Sequence, residues 1–172
     1  MAELDIVLAP DPRLKTKCRP VAAVDDRIRR LAADMLETMY AAPGIGLAAP
    51  QVGVLERLIV IDCAGRDEPA QPLKLINPEL VSVSDHLVTY EEGCLSLPEQ
   101  YAEVTRPGDC KVRYLDETGA RREIEAHGLL AICLQHEIDH LNGVLFTDHL
   151  SALKRNMIMR KLAKWKKANG KA

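Results

Sequence analysis

Two histidines four residues apart, within Gln135-His136-Glu137-Ile138-Asp139-His140, constrain this chain more than any other feature. For both imidazoles to act together the stretch must be helical, because an i, i+4 spacing brings two side chains to one face about a turn apart. Two imidazoles so placed can hold one metal ion. Glu137 stands roughly 100° further round, bordering the ion without ligating it. This is the HExxH arrangement, in which the glutamate is general base for water at the metal. Leu129 to Leu134 supply an apolar lead-in and Asn142-Gly143 a stop, so a helix from about Gly128 to Leu141 is expected. A helix apolar nearly all round is one buried on most sides. The pattern is short and also arises by chance in helices that bind no metal, so it needs support elsewhere.

The chain has 172 residues and is 47% hydrophobic, enough for one domain with a real core. Aromatics make up only 3%, so aliphatic packing must dominate. After an irregular stretch from Ile6 to Val21, Asp25 or Asp26 caps a helix carrying Ile28, Leu31, Met35 and Met39, which Ala42-Pro43-Gly44 ends. Strands are expected at Leu58–Cys63, Leu73–Ile76, Leu80–Val83, Leu87–Tyr90, Tyr101–Thr105 and Lys111–Leu115. Asp116-Glu117-Thr118-Gly119 turns the last of these into Arg121–Ala126. After the motif helix, Ser151 caps a final helix to about Lys167 with Leu153, Met157, Ile158, Leu162 and Trp165 on its apolar side. Helix, strands, helix, helix is an α+β order, with antiparallel sheets packed around the motif helix. Residues 1–172 read as a single domain, of which 151–172 are a basic C-terminal helix and tail.

From Ser151 onward there are eight basic and no acidic residues, which leaves a formal charge of −10 on the rest of a chain whose total is −2. Such a tail meets something polyanionic, or it docks on its own acidic body. The five cysteines are odd in number and irregularly spaced, so they do not describe a disulfide framework. The N-terminal residues carry acids and no long apolar run, and no segment approaches a membrane span of roughly 20 apolar residues. The expectation is a soluble, cytoplasmic protein in a reducing compartment.

A catalytic metal needs three protein ligands and one open position. No glutamate follows Glu137, which excludes the thermolysin-type third ligand, and the metzincin continuation is missing after His140. The strongest candidate lies upstream in Glu91-Glu92-Gly93-Cys94-Leu95-Ser96-Leu97-Pro98, where Gly93 permits a sharp turn and Cys94 offers sulfur, a good ligand for iron(II), zinc, cobalt or nickel. Cys18, Cys63, Cys110 and Cys133 read as structural. Gly44-Ile45-Gly46-Leu47-Ala48-Ala49-Pro50-Gln51 is rich in small residues, but no strand precedes it and the third glycine of a dinucleotide fingerprint is absent.

The last of these stretches, Glu92-Gly93-Cys94-Leu95-Ser96 and the histidine motif together resemble the peptide deformylase family in order and spacing. The resemblance implies a monomeric α+β enzyme that removes the formyl group from polypeptides beginning with formyl-methionine. It implies that Cys94, His136 and His140 bind one Fe(2+), which Zn(2+), Ni(2+) or Co(2+) can replace. Glu137 would be the general base, and Gln51 with the backbone N–H of Leu95 would hold the oxyanion. Gly44, Ile45 and Gly46 would pair with the substrate backbone as an added strand. Ile45, Leu129, Ile132 and Cys133 would wall the methionine pocket. Asp139 is a candidate for supporting the ligands, and Arg106 a candidate partner for Glu92. The family often has an arginine where this chain has Tyr101, which affects contacts to the extended peptide rather than the chemistry. In relatives with a C-terminal helix that helix can dock on the ribosome, and a tail of +8 suits ribosomal RNA. Two other classes compete. A zinc endopeptidase is disfavoured by the cysteine and the missing downstream glutamate. A non-catalytic metal domain is disfavoured by the presence of Glu137 and Gln51, since a structural site fills all four positions.

Overall fold

Leu58–Ile61 is apolar at every position, and a strand sends successive side chains to opposite faces. Such a run needs cover on both sides of its sheet. The computed structural model, which describes residues 2–65 and 67–171, shows both covers. In chain order the elements are α1 (Asp26–Ala41), β1 (Gly46–Ala48), β2 (Leu58–Ile61), β3 (Leu73–Val83), β4 (Leu87–Cys94), β5 (Leu97–Pro107), β6 (Asp109–Leu115), β7 (Arg121–His127), α2 (Gly128–Leu141) and α3 (Ala152–Ala168). Leu58 and Val60 pack in one cluster with Ile28, Ala32, Met35 and Met39 of α1. Ile59 and Ile61 pack in another with Ala131, Leu134, Ile138 and Leu141 of α2. One four-residue strand thus joins two helices across a sheet.

That sheet has five strands in the order β1-β2-β3-β6-β7, all neighbours antiparallel. β4 and β5 form a separate two-stranded ribbon. The expected α+β class holds. The motif helix α2 is buried over most of its length from Ala131 to Leu141, with the sheet cluster on one side and hydrogen bonds to the ribbon on another. Asp25 caps α1 by accepting from the N–H of Ile28 at 3.1 Å, and Ser151 caps α3 by accepting from Lys154 N–H at 3.2 Å. α2 ends at Asn142 and turns through Gly143, whose φ of 76° and whose approach to the Lys15 carbonyl (2.6 Å from a Cβ placed there) both require glycine.

β4 and β5 run longer than the strands expected at Leu87–Tyr90 and Tyr101–Thr105, and the structure departs from the sequence expectation in three further places. Leu73–Ile76 and Leu80–Val83 are not two strands but the ends of one, interrupted by a bulge. Pro78 has no N–H for the ladder, so the irregularity absorbs it. Asn77 takes a left-handed φ of 51° there, and its amide is pinned to both backbone groups of Val21. Gly46–Ala48 does form a strand, on the edge of the sheet, despite its unremarkable composition. On α3, Ile158 and Leu162 are buried against the ribbon cluster, whereas Leu153 and Met157 are exposed. Those two lie roughly 100–180° round from the buried pair, and a helix docked along one narrow strip leaves them in solvent. No helix among the described residues is long and apolar enough to cross a membrane.

A pH dependence follows from the link between α1 and β2. Glu56 is buried and accepts from Arg27 Nη1 and Nη2 at 2.8 and 2.9 Å. Those hydrogen bonds hold its carboxyl below the usual 4.5. A depressed folded-state value stabilises the fold above the unfolded value and is lost as pH falls through the folded one. Urea midpoints measured from neutrality to pH 3 should therefore decline below about 4.5, and Glu56→Gln should flatten that part of the profile.

Candidate metal centre

Three elements bring side chains together beneath the five-stranded sheet. Cys94 closes β4 directly after a register shift at Gly93, and Leu95-Ser96 turn the chain into β5. The Tyr101 ring crosses at Gly93, 2.5 Å from where a Cβ would sit, so a side chain there would displace it. His136 and His140 lie on consecutive turns of α2 with ring centroids 5.0 Å apart. Donor atoms of Cys94, His136 and His140 all fall within 4.8 Å of one another, and Cys94 Sγ is 3.3 Å from His140 Nε2.

The surroundings of His136 fix its orientation. Its Nδ1 meets Glu92 Oε1 at 2.9 Å, which turns Nε2 toward the cysteine. Glu92 is held by Arg106, whose Nε and Nη2 donate to it at 2.7 and 3.0 Å, while Nη1 donates to Asp139 Oδ2 at 2.8 Å. Glu92 and Arg106 are almost completely buried. Burial works against the charge on Glu92, but hydrogen bonds from His136 and Arg106 outweigh it and keep the carboxyl below its ordinary range. Burial likewise opposes a charged His136, yet Glu137, Cys94 and Glu92 together carry its imidazole well above the usual value. His140 is driven well below its usual value, by burial first and by His136 second. The field therefore favours one positive charge between the two imidazoles and not two.

Glu137 shares this cavity but is not tied down. Its Oε1 is buried without a hydrogen-bond partner, and Oε2 is 4.0 Å from His136 Nε2. Burial pushes its carboxyl up to about 7 against the opposing charges of His136 and Arg106. Gly46 passes so close that a Cβ there would lie 2.5 Å from Glu137 Oε2. Gln51, in the 3-10 turn Ala49–Val52, is fixed through Oε1 by the N–H of Ala48 at 2.9 Å. Its Nε2 donates to Cys94 Sγ at 3.2 Å and to Ser96 Oγ at 3.1 Å.

A cleft of about 1000 Å³ opens on these groups. It takes in all the residues expected from the sequence at a substrate site, Gly44, Ile45, Gly46, Leu129, Ile132 and Cys133, together with Gln51, Cys94, Leu95, His136 and Glu137. Ile45 and Leu129 are exposed at its mouth, whereas Ile132 and Cys133 are buried deeper. Ser96 and Phe146 were not singled out in the sequence. Phe146 is the only phenylalanine of the chain and stacks on His136 with centroids 6.2 Å apart and planes 22° from parallel. Its rarity in so aromatic-poor a chain was the available signal. Ser96 carried none beyond its proximity to Cys94.

One half-buried sulfur and two buried imidazoles, with carboxylates on both sides, fit a divalent cation. The family model for polypeptide deformylase matches residues 3–156. A peptide deformylase of Methylocella silvestris is 59% identical over 162 residues, covering 92% of this chain and 83% of its own length. One from Agrobacterium fabrum is 55% identical over 159 residues, covering 92% of this chain and 94% of its own. Among solved structures, peptide deformylase from Ehrlichia chaffeensis in complex with actinonin superposes with a TM-score of 0.92 at 44% identity, over 96% of this chain and 99% of that one. The Legionella pneumophila structure gives 0.92 at 47% identity, with 99% of each chain covered.

The buried guanidinium yields a prediction. Arg106→Leu would leave Glu92 without its ionic partner inside the protein, at a cost of about 3–5 kcal/mol. Urea denaturation of the variant against the parent protein measures it.

Proposed function

The chain belongs to the peptide deformylase family, and from that premise we propose how its own residues divide the chemistry. The activity is removal of the N-terminal formyl group from new polypeptides, in an enzyme of a metal-dependent family. Water adds to the formyl carbon, the C–N bond breaks, and formate and a free amine leave. In our reading Cys94, His136 and His140 hold the ion, which is iron(II), with zinc, nickel or cobalt able to replace it. When bound, such an ion supplies Lewis acidity that polarises the formyl carbonyl and acidifies water at the site.

Glu137 takes the proton from the attacking water and delivers it to the departing amine. Support comes from its buried, unpartnered Oε1 and from a carboxyl raised to about 7, suited to both accepting and giving a proton near neutrality. The Gln51 amide and the Leu95 N–H donate to the oxygen that becomes negative as water adds. What supports Gln51 is that Ala48 fixes its amide so that Nε2 faces the cysteine. A donor aimed at a developing oxyanion contributes about 3 kcal/mol. Gly44, Ile45 and Gly46 pair with the substrate backbone, and Ile45, Leu129, Ile132 and Cys133 receive the methionine side chain. The observation that carries the reading is the convergence of the three donor atoms within 4.8 Å beside an untethered carboxylate.

We also place the protein in the cytoplasm as a monomer, one domain over residues 1–172. The exposed lysines and arginines of α3 and the tail are its contact with ribosomal RNA. Lys166 donates to the Ala9 carbonyl and no ion pair from α3 to a carboxylate occurs among the described residues, while Lys166 and Arg155 act on Asp11 and Asp148 only at longer range.

Glu137→Ala should retain metal by elemental analysis while losing turnover on a formyl-Met peptide by about 10²–10⁴-fold. Gly46→Ala should keep the fold yet lower kcat by about 10²-fold, because the new methyl displaces the Glu137 carboxylate. Full activity in the Glu137 variant would refute its role.

A further inference from the structure

His149 ends the 3-10 turn Phe146–His149, beyond the metal motif, and has no contact with the cleft described above. Its Nε2 lies 2.8 Å from Asp139 Oδ2, and since a carboxylate only accepts, the imidazole donates. That same Oδ2 accepts from Arg106 Nη1 at 2.8 Å. The other two arms of the guanidinium grip Glu92, and Glu92 Oε1 meets His136 Nδ1. The result is an unbroken line, His149–Asp139–Arg106–Glu92–His136, running from the surface to a ligand nitrogen. Arg106 and Glu92 are buried, the Asp139 side chain is 25% exposed and that of His149 is 37% exposed.

We propose that His149 is a positioning residue for the metal ligand His136, acting through Asp139, Arg106 and Glu92. The proposal rests on the metal-site reading given above. Two carboxylates, Glu92 and Asp139, share one guanidinium. Whichever is less satisfied draws Arg106 harder. The N–H from His149 satisfies part of Asp139 and so leaves the bidentate grip on Glu92 intact. Without it, Asp139 competes for Arg106, Glu92 loosens, and His136 loses its fixed ring orientation. The same turn reaches His136 a second way, since Phe146 at its other end stacks on that ring. Both ends of one four-residue turn therefore bear on one imidazole.

A separate cavity of about 460 Å³ adjoins the outer half of this line, with Thr105, Arg106, Asp139, Asn142 and His149 in its walls. It gives a small molecule access to Asp139 once the histidine ring is removed, which makes chemical rescue a usable readout.

The experiment follows metal release to a chelator from zinc-loaded protein, with no dependence on turnover. His149→Leu keeps bulk but removes the donor, and His149→Gln restores an N–H at about the position of Nε2. Losing a supporting partner of a metal-bound histidine costs 10–100-fold in affinity, and four links away we expect release about 3–10-fold faster in His149→Leu. His149→Gln should release at the parent rate, and free imidazole should slow release from His149→Ala. kcat should fall in His149→Leu with KM unchanged. In an Asp139→Asn background the His149→Leu change should add nothing. Parent-like release from folded His149→Leu, or full additivity with Asp139→Asn, would overturn the proposal. If His149→Leu does not fold, the imidazole response of His149→Ala decides, and no response overturns it. A parent protein that binds no zinc would instead overturn the metal-site reading beneath it.

Discussion

The guanidinium of Arg106 holds two parts of the fold together. It sits almost without solvent between Glu92 on the ribbon and Asp139 on the motif helix. An ionised carboxylate in such a place is expensive without a paired charge. Arginine meets the need because its planar fork serves two acceptors at once. The apolar clusters of the sheet hold α1 and α2, but the ribbon carrying Cys94 reaches α2 through this polar junction. The position of the cysteine relative to the two histidines is therefore an electrostatic matter as much as a packing one.

The charge pattern around the site follows from the same arrangement. Glu92 and Glu137 flank His136 on either side, and the two histidines oppose each other in tendency, one raised and one lowered. Two adjacent protonated imidazoles would repel, and two neutral ones would leave the buried Glu137 carboxylate without the opposing charge of His136. A cation shared by both rings relieves both problems.

Much of this was readable from residue spacing. The i, i+4 histidines required a helix, the solid apolar run before them required burial, and the lack of any later glutamate pointed back to Cys94. Asp25 and Ser151 announced their helices through cap chemistry. What could not be read was long-range or conformational. Pro78 implied a break between strands, yet a bulge with Asn77 in the left-handed region keeps one strand continuous. Gly46–Ala48 becomes a strand only because β2 offers it an edge to pair with. The sequence offers Arg106 as a partner for Glu92, but nothing in the spacing of 106, 139 and 149 foretells that one carboxylate receives both a guanidinium and an imidazole. Periodicity places Leu153 and Met157 on the apolar side of the last helix, but it does not report how wide the partner surface is.

The turn bearing Phe146 comes after both ligating histidines in the chain, and it packs with residues of β5 and α3 in the third apolar cluster. During translation the histidines leave the ribosome before the ring that braces one of them. An ion taken up by Cys94, His136 and His140 would thus find that brace in place only after residues beyond the ligands had emerged and folded.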